Sequence, residues 1–213
     1  MAPVEPELIG AADRHRGMLA WRLAAGSRVL SSAPVGGGWR VDAPWIVNVG
    51  VAMDFGRRDL DAYVAEVAGA HACTGDGVGL LTGADVSAVQ GVVIGGVRAD
   101  VTVGIGKPTW AADPTGGWSD YEPGTINAVV QLPVAMSAAA QVNLVMTVTE
   151  AKTQALLEAG VPGTGTASDA VVIVSPAGEG VGEAFGGPRS SWGARAAQAV
   201  HQAVADSIAA TRG

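Results

Sequence analysis

Cysteine and histidine are scarce in this sequence. The one cysteine, Cys73, excludes an internal disulfide and a multi-cysteine zinc site, and it agrees with a reducing compartment. The three histidines, His15, His71 and His201, stand far apart, which supports neither a serine–histidine triad nor a histidine-rich hydrolytic zinc centre. We therefore expect the protein to use no metal and no other cofactor.

Basic clusters and long apolar runs are also missing. The longest run of basic residues is Arg57-Arg58, and the net charge is -7, whereas a nucleic-acid binder needs a basic footprint. The most apolar stretch, residues 128–146, is interrupted by polar residues and does not reach the roughly 18 apolar residues of a membrane helix. Residues 1–7 are acidic and proline-rich, unlike a signal peptide. We expect a cytoplasmic protein with neither nucleic acid nor membrane as a partner.

Aromatic residues make up 5% of the chain although hydrophobic residues reach 48%, so the apolar content is mostly alanine and valine. Short valine-rich runs bounded by turns, together with three helical patterns, follow no βαβ alternation. We predict an α+β fold in which mixed or antiparallel sheets are covered by three main helices. Residues 1–17 are predicted to form a loose arm, and residues 18–213 a single catalytic domain.

Several local patterns predict individual elements. Residues 59–71 have helical periodicity, and residues 21–35 have the pattern of a strand pair broken at Gly26-Ser27. Gly95-Gly96 between two apolar runs is typical of a two-residue hairpin turn. A last helix begins at Ser190 or Ser191.

A long helix is predicted to begin after Ser137 and to end at Gly160. Glu150 and Lys152 flank its apolar stripe on opposite sides, so they cannot pair simply with each other. The stripe consists of Val142, Val145, Met146, Thr149, Thr153 and Leu156.

Four segments concentrate hydroxyl, amide or charged groups: residues 31–38, 123–127 and 163–170, which also contain glycine, and residues 149–153, which do not. Each has a structural alternative, because such residues also form ordinary turns, buried paired amides or solvated helix faces. Asn48, inside an apolar run, has the same ambiguity. The segment 163–170 carries three hydroxyls and a carboxylate beside a buried strand, and it is where we most expect catalysis.

Other chemistries have weaker support. Residues 31–38 lack the Gly-Lys-Ser/Thr of a phosphate-binding loop, and Pro108 argues against a dinucleotide fingerprint at Gly104–Gly106. A hard cation held only by carboxylates stays an alternative. Its ligands would come from Asp54, Asp85, Asp113, Glu150 and Asp169.

Five blocks of sequence resemble the adenosylcobinamide amidohydrolase family, in order and over nearly the whole chain. The three less specific blocks are Ser31–Gly38, Leu81–Val86 and Pro123–Asn127. The other two, Glu150–Leu156 and Gly163–Ala170, are the most specific, with Ser168 where the family often has threonine. The resemblance implies hydrolysis of adenosylcobinamide to adenosylcobyric acid and 1-amino-2-propanol. The substrate's cobalt belongs to the corrinoid, and self-association into a homo-oligomer stays open.

Amide hydrolysis needs a nucleophile or an activated water, an oxyanion site and a proton donor. We expect Glu150 as general acid or base, Lys152 as a charge-stabilising group, Thr166 as nucleophile or donor, and Asp169 orienting the hydroxyls. The expected substrate-binding residues are Ser31, Ser32, Gly36, Gly37, Asn48, Thr125, Asn127 and Thr164.

Two further expectations concern the cleft and the class of protein. Residues 107–124, with Trp110 and Trp118, are expected to form a wall of the cleft. The alternatives in class are a corrinoid-binding protein without catalysis and a different amide or ester hydrolase with a threonine nucleophile.

Overall fold

The computed structural model describes residues 1–10, 17–114, 124–178 and 182–212, and these form ten strands and three α-helices. The strands are β1 (Glu7–Ile9), β2 (Met18–Arg22), β3 (Ser27–Ser31), β4 (Gly38–Val41), β5 (Trp45–Gly50), β6 (Val78–Thr82), β7 (Gln90–Ile94), β8 (Val97–Gly104), β9 (Thr125–Gln131) and β10 (Ala170–Pro176). The helices are α1 (Leu60–Ala70), α2 (Ala138–Glu158) and α3 (Ser191–Arg212).

The strands form two mixed sheets. One has four strands in the order β1-β2-β5-β6, and the other has six in the order β4-β3-β10-β9-β8-β7. In each sheet one neighbouring pair is parallel, β5 with β6 and β9 with β10, and the other pairs are antiparallel. The predicted α+β class with mixed sheets and three main helices is confirmed.

The layers follow from the alternation of side chains along the strands. In β2, Met18 and Ala20 pack against α1, whereas Leu19 and Trp21 pack against the six-stranded sheet. In β10, Val171 and Ile173 face α2 and α3, whereas Val172 and Val174 face the four-stranded sheet. The order of layers is therefore helix, sheet, sheet, helices, with a separate apolar core at each of the three interfaces.

Local signals placed several elements correctly. Ser137 accepts a hydrogen bond from the Ala140 amide (3.1 Å), and Gly160 takes a positive φ of 71° after α2 ends. Ile94 pairs with Val97 across Gly95-Gly96, and both glycines have positive φ. Ser190 accepts from the Gly193 amide (3.1 Å) at the start of α3.

The predicted strand pair of residues 21–35 is wrong in its pairing. Strands β2 and β3 exist, but β2 pairs with β1 and β5, whereas β3 pairs with β4 and β10 in the other sheet. The short turn between them therefore carries the chain from one layer to the next. Turn residues indicate where a strand ends, and they do not say in which sheet the next strand lies.

The inward face of α2 also differs from the predicted stripe. Val142 and Met146 are exposed, and the buried face instead carries Ala140, Leu144 and Ala151. Small residues let this face approach its neighbours closely: a Cβ at Gly186 would overlap the Ala140 carbonyl oxygen. The buried face of α2 thus combines small side chains with Leu144, Val148 and Leu156, and it leaves Val142 and Met146 outside.

The first nine residues are not the loose arm that the sequence predicts. Residues 7–9 form β1 on the edge of the four-stranded sheet, and Glu5 pairs with Arg98. The buried Gln131 side chain accepts from the Val4 amide (3.0 Å) and donates to the Val4 carbonyl (2.7 Å). A buried side-chain amide needs both partners, and this segment supplies them. Residues 11–16, including His15, lie outside the described residues.

Within the described ranges, no helix has the length and apolarity needed to cross a membrane.

Candidate active site

A cleft of about 300 Å³ lies at one end of the two sheets, where β6 ends and β9 and β10 begin. Its apolar side is formed by the segment that follows β5 and by the start of α1, and includes Val51, Met53, Phe55 and Leu60. Its polar side is formed by the strand ends, and carries Thr82, Thr125, Asn127 and Ser168. A small concave site with a few convergent polar groups is typical of small-molecule recognition.

Two hydroxyls meet on the polar side of the cleft. Thr125 Oγ1 lies 2.8 Å from Ser168 Oγ, and Ser168 Oγ also lies 3.0 Å from the Gly124 carbonyl oxygen, to which it donates. With the Ser168 proton on Gly124, the Thr125 hydroxyl is the donor to Ser168. Thr125 is buried and Ser168 is exposed, so the pair reaches from the floor of the cleft to its rim.

A charged cluster centred on Asp169 lies behind this pair. One carboxylate oxygen accepts from the Ile126 amide (2.9 Å) and from the Thr166 hydroxyl, and the other accepts from the Thr166 amide (3.1 Å). Lys152, nearly buried, forms an ion pair with Asp169. The carboxylate therefore holds the start of β9 and the 163–169 loop in fixed relation, next to Thr125.

The 163–169 loop runs alongside the C-terminal half of α2. The Thr153 hydroxyl donates to the Thr164 carbonyl (2.9 Å), and Gly165 pairs with Thr109 in an isolated bridge. A Cβ at Gly165 would overlap Asp169 Oδ2 and Lys152 Nζ, so a side chain there would force one of these two groups to move. Of the four residues expected to be catalytic, the structure thus brings together Lys152, Thr166 and Asp169.

Glu150 does not join them. It is exposed, in a shallow depression with Thr149 and Leu157 on the outer side of α2. Two residues along a helix turn the side chain by about 200°, so when Lys152 faces the loop Glu150 faces away. The expectation that both residues face the loop holds for Lys152 alone.

In the glycine-rich segment 31–38, the polar side chains bond backbone amides, and two of the glycines pack closely against backbone carbonyls. The Ser31 hydroxyl accepts from the Ala33 amide (2.9 Å) and the Ser32 hydroxyl from the Val171 amide (3.0 Å). A Cβ at Gly36 would overlap the Gly77 carbonyl oxygen, and one at Gly37 would overlap the Ala33 carbonyl oxygen. These four expected substrate-binding residues do not line the cleft: both serine hydroxyls bond backbone amides, and both glycines lie close against backbone carbonyls.

The other expected substrate-binding residues divide between the cleft and its surroundings. Thr125 and Asn127 line it, and Asn48 lies directly behind Asn127, with 2.9 Å between Asn127 Nδ2 and Asn48 Oδ1. The Thr164 hydroxyl accepts from the Ala111 amide (2.9 Å) and holds the 109–111 segment instead. Trp110 is largely exposed and is not part of the cleft lining, and Trp118 lies outside the described residues.

The cleft also has a cationic residue that the sequence did not single out as a site residue. Arg57 lies in the cleft lining, pairs with Asp59 (2.6 Å) and Glu66 (3.2 Å), and lies over the Tyr63 ring. The hydrogen bonds that Arg57 donates to Asp59 and Glu66 raise the pKa of Arg57, and the bond that Asp59 accepts from Arg57 lowers the pKa of Asp59. The short run Arg57-Arg58 was the only signal for it. Ser168 and Thr82 were visible within the family-like blocks but were not chosen.

Among the described residues, no group of three histidine, cysteine or carboxylate side chains lies close enough together to hold a metal ion.

Hydroxyl donors in a small cleft, next to an ion-paired lysine and aspartate, are parts that hydrolases of small molecules use. Residues 4–213 match the family described as adenosylcobinamide amidohydrolase. A protein of Halobacterium salinarum named adenosylcobinamide amidohydrolase is 34% identical over 204 residues, 91% of this chain and 85% of that protein. No solved structure matches the chain. The chain belongs to the adenosylcobinamide amidohydrolase family, and it is a hydrolase that acts on an amide bond.

Proposed function

We propose that the cleft at the end of the two sheets hydrolyses the aminopropanol amide of adenosylcobinamide. The reaction adds one water across the C–N bond: the oxygen joins the carbonyl carbon, and the nitrogen leaves protonated as 1-amino-2-propanol. The other product is adenosylcobyric acid. Family membership supports the reaction, and the Thr125–Ser168 hydroxyl pair in the cleft supports the place.

The size of the cleft limits what enters it. A volume of about 300 Å³ is at the lower end of small-ligand sites and is too small for a corrin ring. The aminopropanol side chain with its amide fits this volume. The ring then lies outside, against the exposed Met53 and the half-buried Phe55 at the apolar side.

The hydroxyl pair is suited to the reacting carbonyl. Charge develops on the carbonyl oxygen when the tetrahedral intermediate forms, and fixed donors aimed at that oxygen stabilise it. Thr125 and Ser168 are held in place by Gly124 and by the Asp169 cluster. Their protons bond Ser168 and the Gly124 carbonyl in this structure, so each hydroxyl turns about its C–O bond to donate to the substrate's oxygen. Lys152, Thr166 and Asp169 act as positioning residues behind the pair, and no role in the reaction is assigned to Glu150.

The test removes each hydroxyl without changing the size of the side chain much. We expect Thr125→Val and Ser168→Ala each to lower kcat for adenosylcobinamide by roughly a hundredfold, as loss of an oxyanion donor does. The matched control is Thr149→Val, because the Thr149 hydroxyl, among the described residues, bonds its own helix alone, at 2.8 Å from the Val145 carbonyl. Product is measured by mass spectrometry of the corrinoid. Normal turnover in both cleft variants places the reaction elsewhere.

Three further properties belong to this proposal. The enzyme works in the cytoplasm, which the single cysteine supports, because Cys73 has no second cysteine to pair with. The corrinoid is the partner, and the net charge of -7 disfavours nucleic acid. The protein uses no metal of its own, so dialysis against EDTA should leave turnover unchanged; loss of activity that one divalent ion restores contradicts this.

A further inference from the structure

Asn127 has a buried oxygen without a hydrogen-bond partner at the cleft. The residue is 2% exposed and belongs to the cleft lining. Its Nδ2 donates to Asn48 Oδ1 (2.9 Å) and to the Leu81 carbonyl oxygen (3.0 Å), which uses both amide hydrogens. No atom of the described residues bonds Oδ1, and this oxygen has almost no exposed surface, so a ligand reaches it only when the neighbouring cleft wall moves aside. Buried side-chain acceptors are normally satisfied, so an unpaired one in a cleft points to a ligand that supplies the donor.

The orientation of this amide is fixed by its neighbours. Exchanging the oxygen and nitrogen of Asn127 would set Oδ1 against the Leu81 carbonyl oxygen, which can only accept. Asn48 is then fixed in turn, with its oxygen towards Asn127 and its nitrogen donating to Thr102 Oγ1 (3.0 Å). Asn48 belongs to one sheet, and Asn127 and Thr102 belong to the other. The free acceptor is therefore held by a chain of bonds across both sheets.

We propose that Asn127 Oδ1 accepts the N–H of the substrate's scissile secondary amide, and that Asn48 is a positioning residue that holds Asn127 for this contact. The inference rests on the proposed function of the cleft. A carboxamide oxygen is only an acceptor, so it cannot bind the substrate's carbonyl oxygen, and it is too weak a base to take a proton from water.

The chemistry of an amide explains why both kinds of group are present. A secondary amide is planar and almost always trans, with its N–H and its C=O pointing in opposite directions. A site that binds both the N–H and the C=O needs hydrogen-bond donors on one side of the amide and an acceptor on the other. Thr125 and Ser168 are the donors, and Asn127 is the acceptor. The cleft thus selects an amide with an N–H over an ester, which has the carbonyl but not the donor.

The experiment compares adenosylcobinamide with an ester analogue in which oxygen replaces the scissile nitrogen. For each enzyme variant, the ratio of kcat/KM for the amide to kcat/KM for the ester is measured. The intrinsic reactivity of the ester cancels when ratios are compared between variants. We expect Asn127→Ala to lower the ratio by about tenfold or more, because a site that binds a substrate N–H loses its preference when the acceptor is removed. A purely structural defect lowers both rates equally and leaves the ratio unchanged.

Two further variants complete the design. Asn48→Ala keeps the acceptor but frees its orientation, so we expect a smaller fall in the same ratio. It also carries the test if Asn127→Ala does not fold. The matched control is Gln141→Ala. Gln141 Oε1 is likewise buried without a partner in the described structure, but this residue is on α2, faces β10, where it donates to Ser175, and is not part of the cleft lining. Its ratio should equal that of the wild type.

The outcomes separate the two proposals. A wild-type enzyme that hydrolyses neither compound overturns the proposed function, and this inference falls with it. The inference alone is overturned if the wild type hydrolyses the amide and the folded Asn127 and Asn48 variants have an amide-to-ester ratio within twofold of the wild-type ratio. A ratio that falls equally in Gln141→Ala overturns it too.

Discussion

Polar residues buried between the two sheets form specific contacts that a uniform apolar interface would lack. Trp21 Nε1 donates to Asp100 Oδ2 (3.0 Å) across the sheets, and Arg98 Nε contacts both oxygens of the same carboxylate at 2.9 and 3.0 Å. Asn48, from the opposite sheet, bonds Thr102 and Asn127. Because each buried polar group needs its partner, these bonds favour one alignment of the sheets over others.

Asp100 makes the stability of the protein depend on pH. Burial raises the pKa of this carboxyl above 3.8, although the hydrogen bonds from Arg98 and Trp21 lower it. Its stabilising contribution is therefore largest below its unfolded pKa and is lost as the pH rises through its folded pKa. We expect the free energy of unfolding of the wild type, minus that of Asp100→Asn, to fall as the pH rises above 4. Urea unfolding of both proteins from pH 4 to 7 measures this; a difference that grows with pH contradicts it.

The two acidic residues first expected to be catalytic should now behave differently. Asp169→Asn removes the charge that Lys152 and the Thr166 groups hold in place, which shifts the Thr125–Ser168 pair. We expect kcat to fall about a hundredfold with a smaller change in KM, as small misplacements near a reacting group do. Glu150→Gln, on the far side of α2, should have normal kcat. Steady-state kinetics distinguish the two variants. A large loss of kcat in Glu150→Gln alone would contradict this and indicate that Glu150 takes part in catalysis.

At the scale of elements, α2 and the 163–169 loop act as one unit. The helix contributes Lys152 and Thr153, and the loop contributes Asp169 and the Thr164 carbonyl, so both ends of each contact lie in the same stretch of chain. Gly165 makes the approach close enough. The turn at residues 160–163 reverses the chain so that these groups meet, and β10 then carries the loop's other end into the sheet.

Gly165→Ala tests this unit directly. The added Cβ would displace Lys152 or Asp169, and overpacking of this kind typically costs about 1–3 kcal/mol of stability. We expect a lower free energy of unfolding and a lower kcat together. Gly106→Ala is the matched control, because no atom of the described residues lies within 4 Å of an added Cβ there. Unfolding by urea and turnover are measured for both variants. Equal effects of the two substitutions would contradict the role of Gly165 in the contact between α2 and the loop.

At the scale of the whole molecule, the N-terminal segment contacts both sheets. Residues 7–9 extend the four-stranded sheet, whereas Val4 and Glu5 bond Gln131 and Arg98 in the six-stranded one. The N-terminal segment thus links the edge strand β1 of the four-stranded sheet to β8 and β9 of the six-stranded sheet. It does so through the backbone of Val4, which a sequence pattern does not reveal.

A variant that begins after Glu5 should be less stable. Its Gln131 side chain loses both partners while it stays buried, which costs about 1–3 kcal/mol for an unsatisfied polar group. The thermal midpoint of unfolding measures the loss. Adding Gln131→Leu to the shortened chain removes the unpaired amide and should recover part of it. A shortened chain as stable as the full one would mean that water replaces Val4 without cost.

Much of the local structure could be predicted because short-range interactions determine it. The Ser137 cap, the glycine after α2 and the Gly95-Gly96 hairpin each depend on a few consecutive residues. The family-like blocks likewise pointed to Lys152, Thr166 and Asp169, which the structure brings into one cluster. Thr125 and Asn127 were also chosen from sequence, and both line the cleft.

The sequence by itself determined most of the strands, the three helices with the serine caps of α2 and α3, and the family of this protein, since these depend on residue types in local order. Only the tertiary structure decided that β2 and β3 lie in different sheets, that α2 buries its alanines and Lys152 rather than Val142 and Met146, and that the Asn127 oxygen has no partner among the described residues. Each of these depends on contacts between residues far apart in the chain. Close packing and the need to satisfy buried polar groups select among arrangements that the local pattern allows equally.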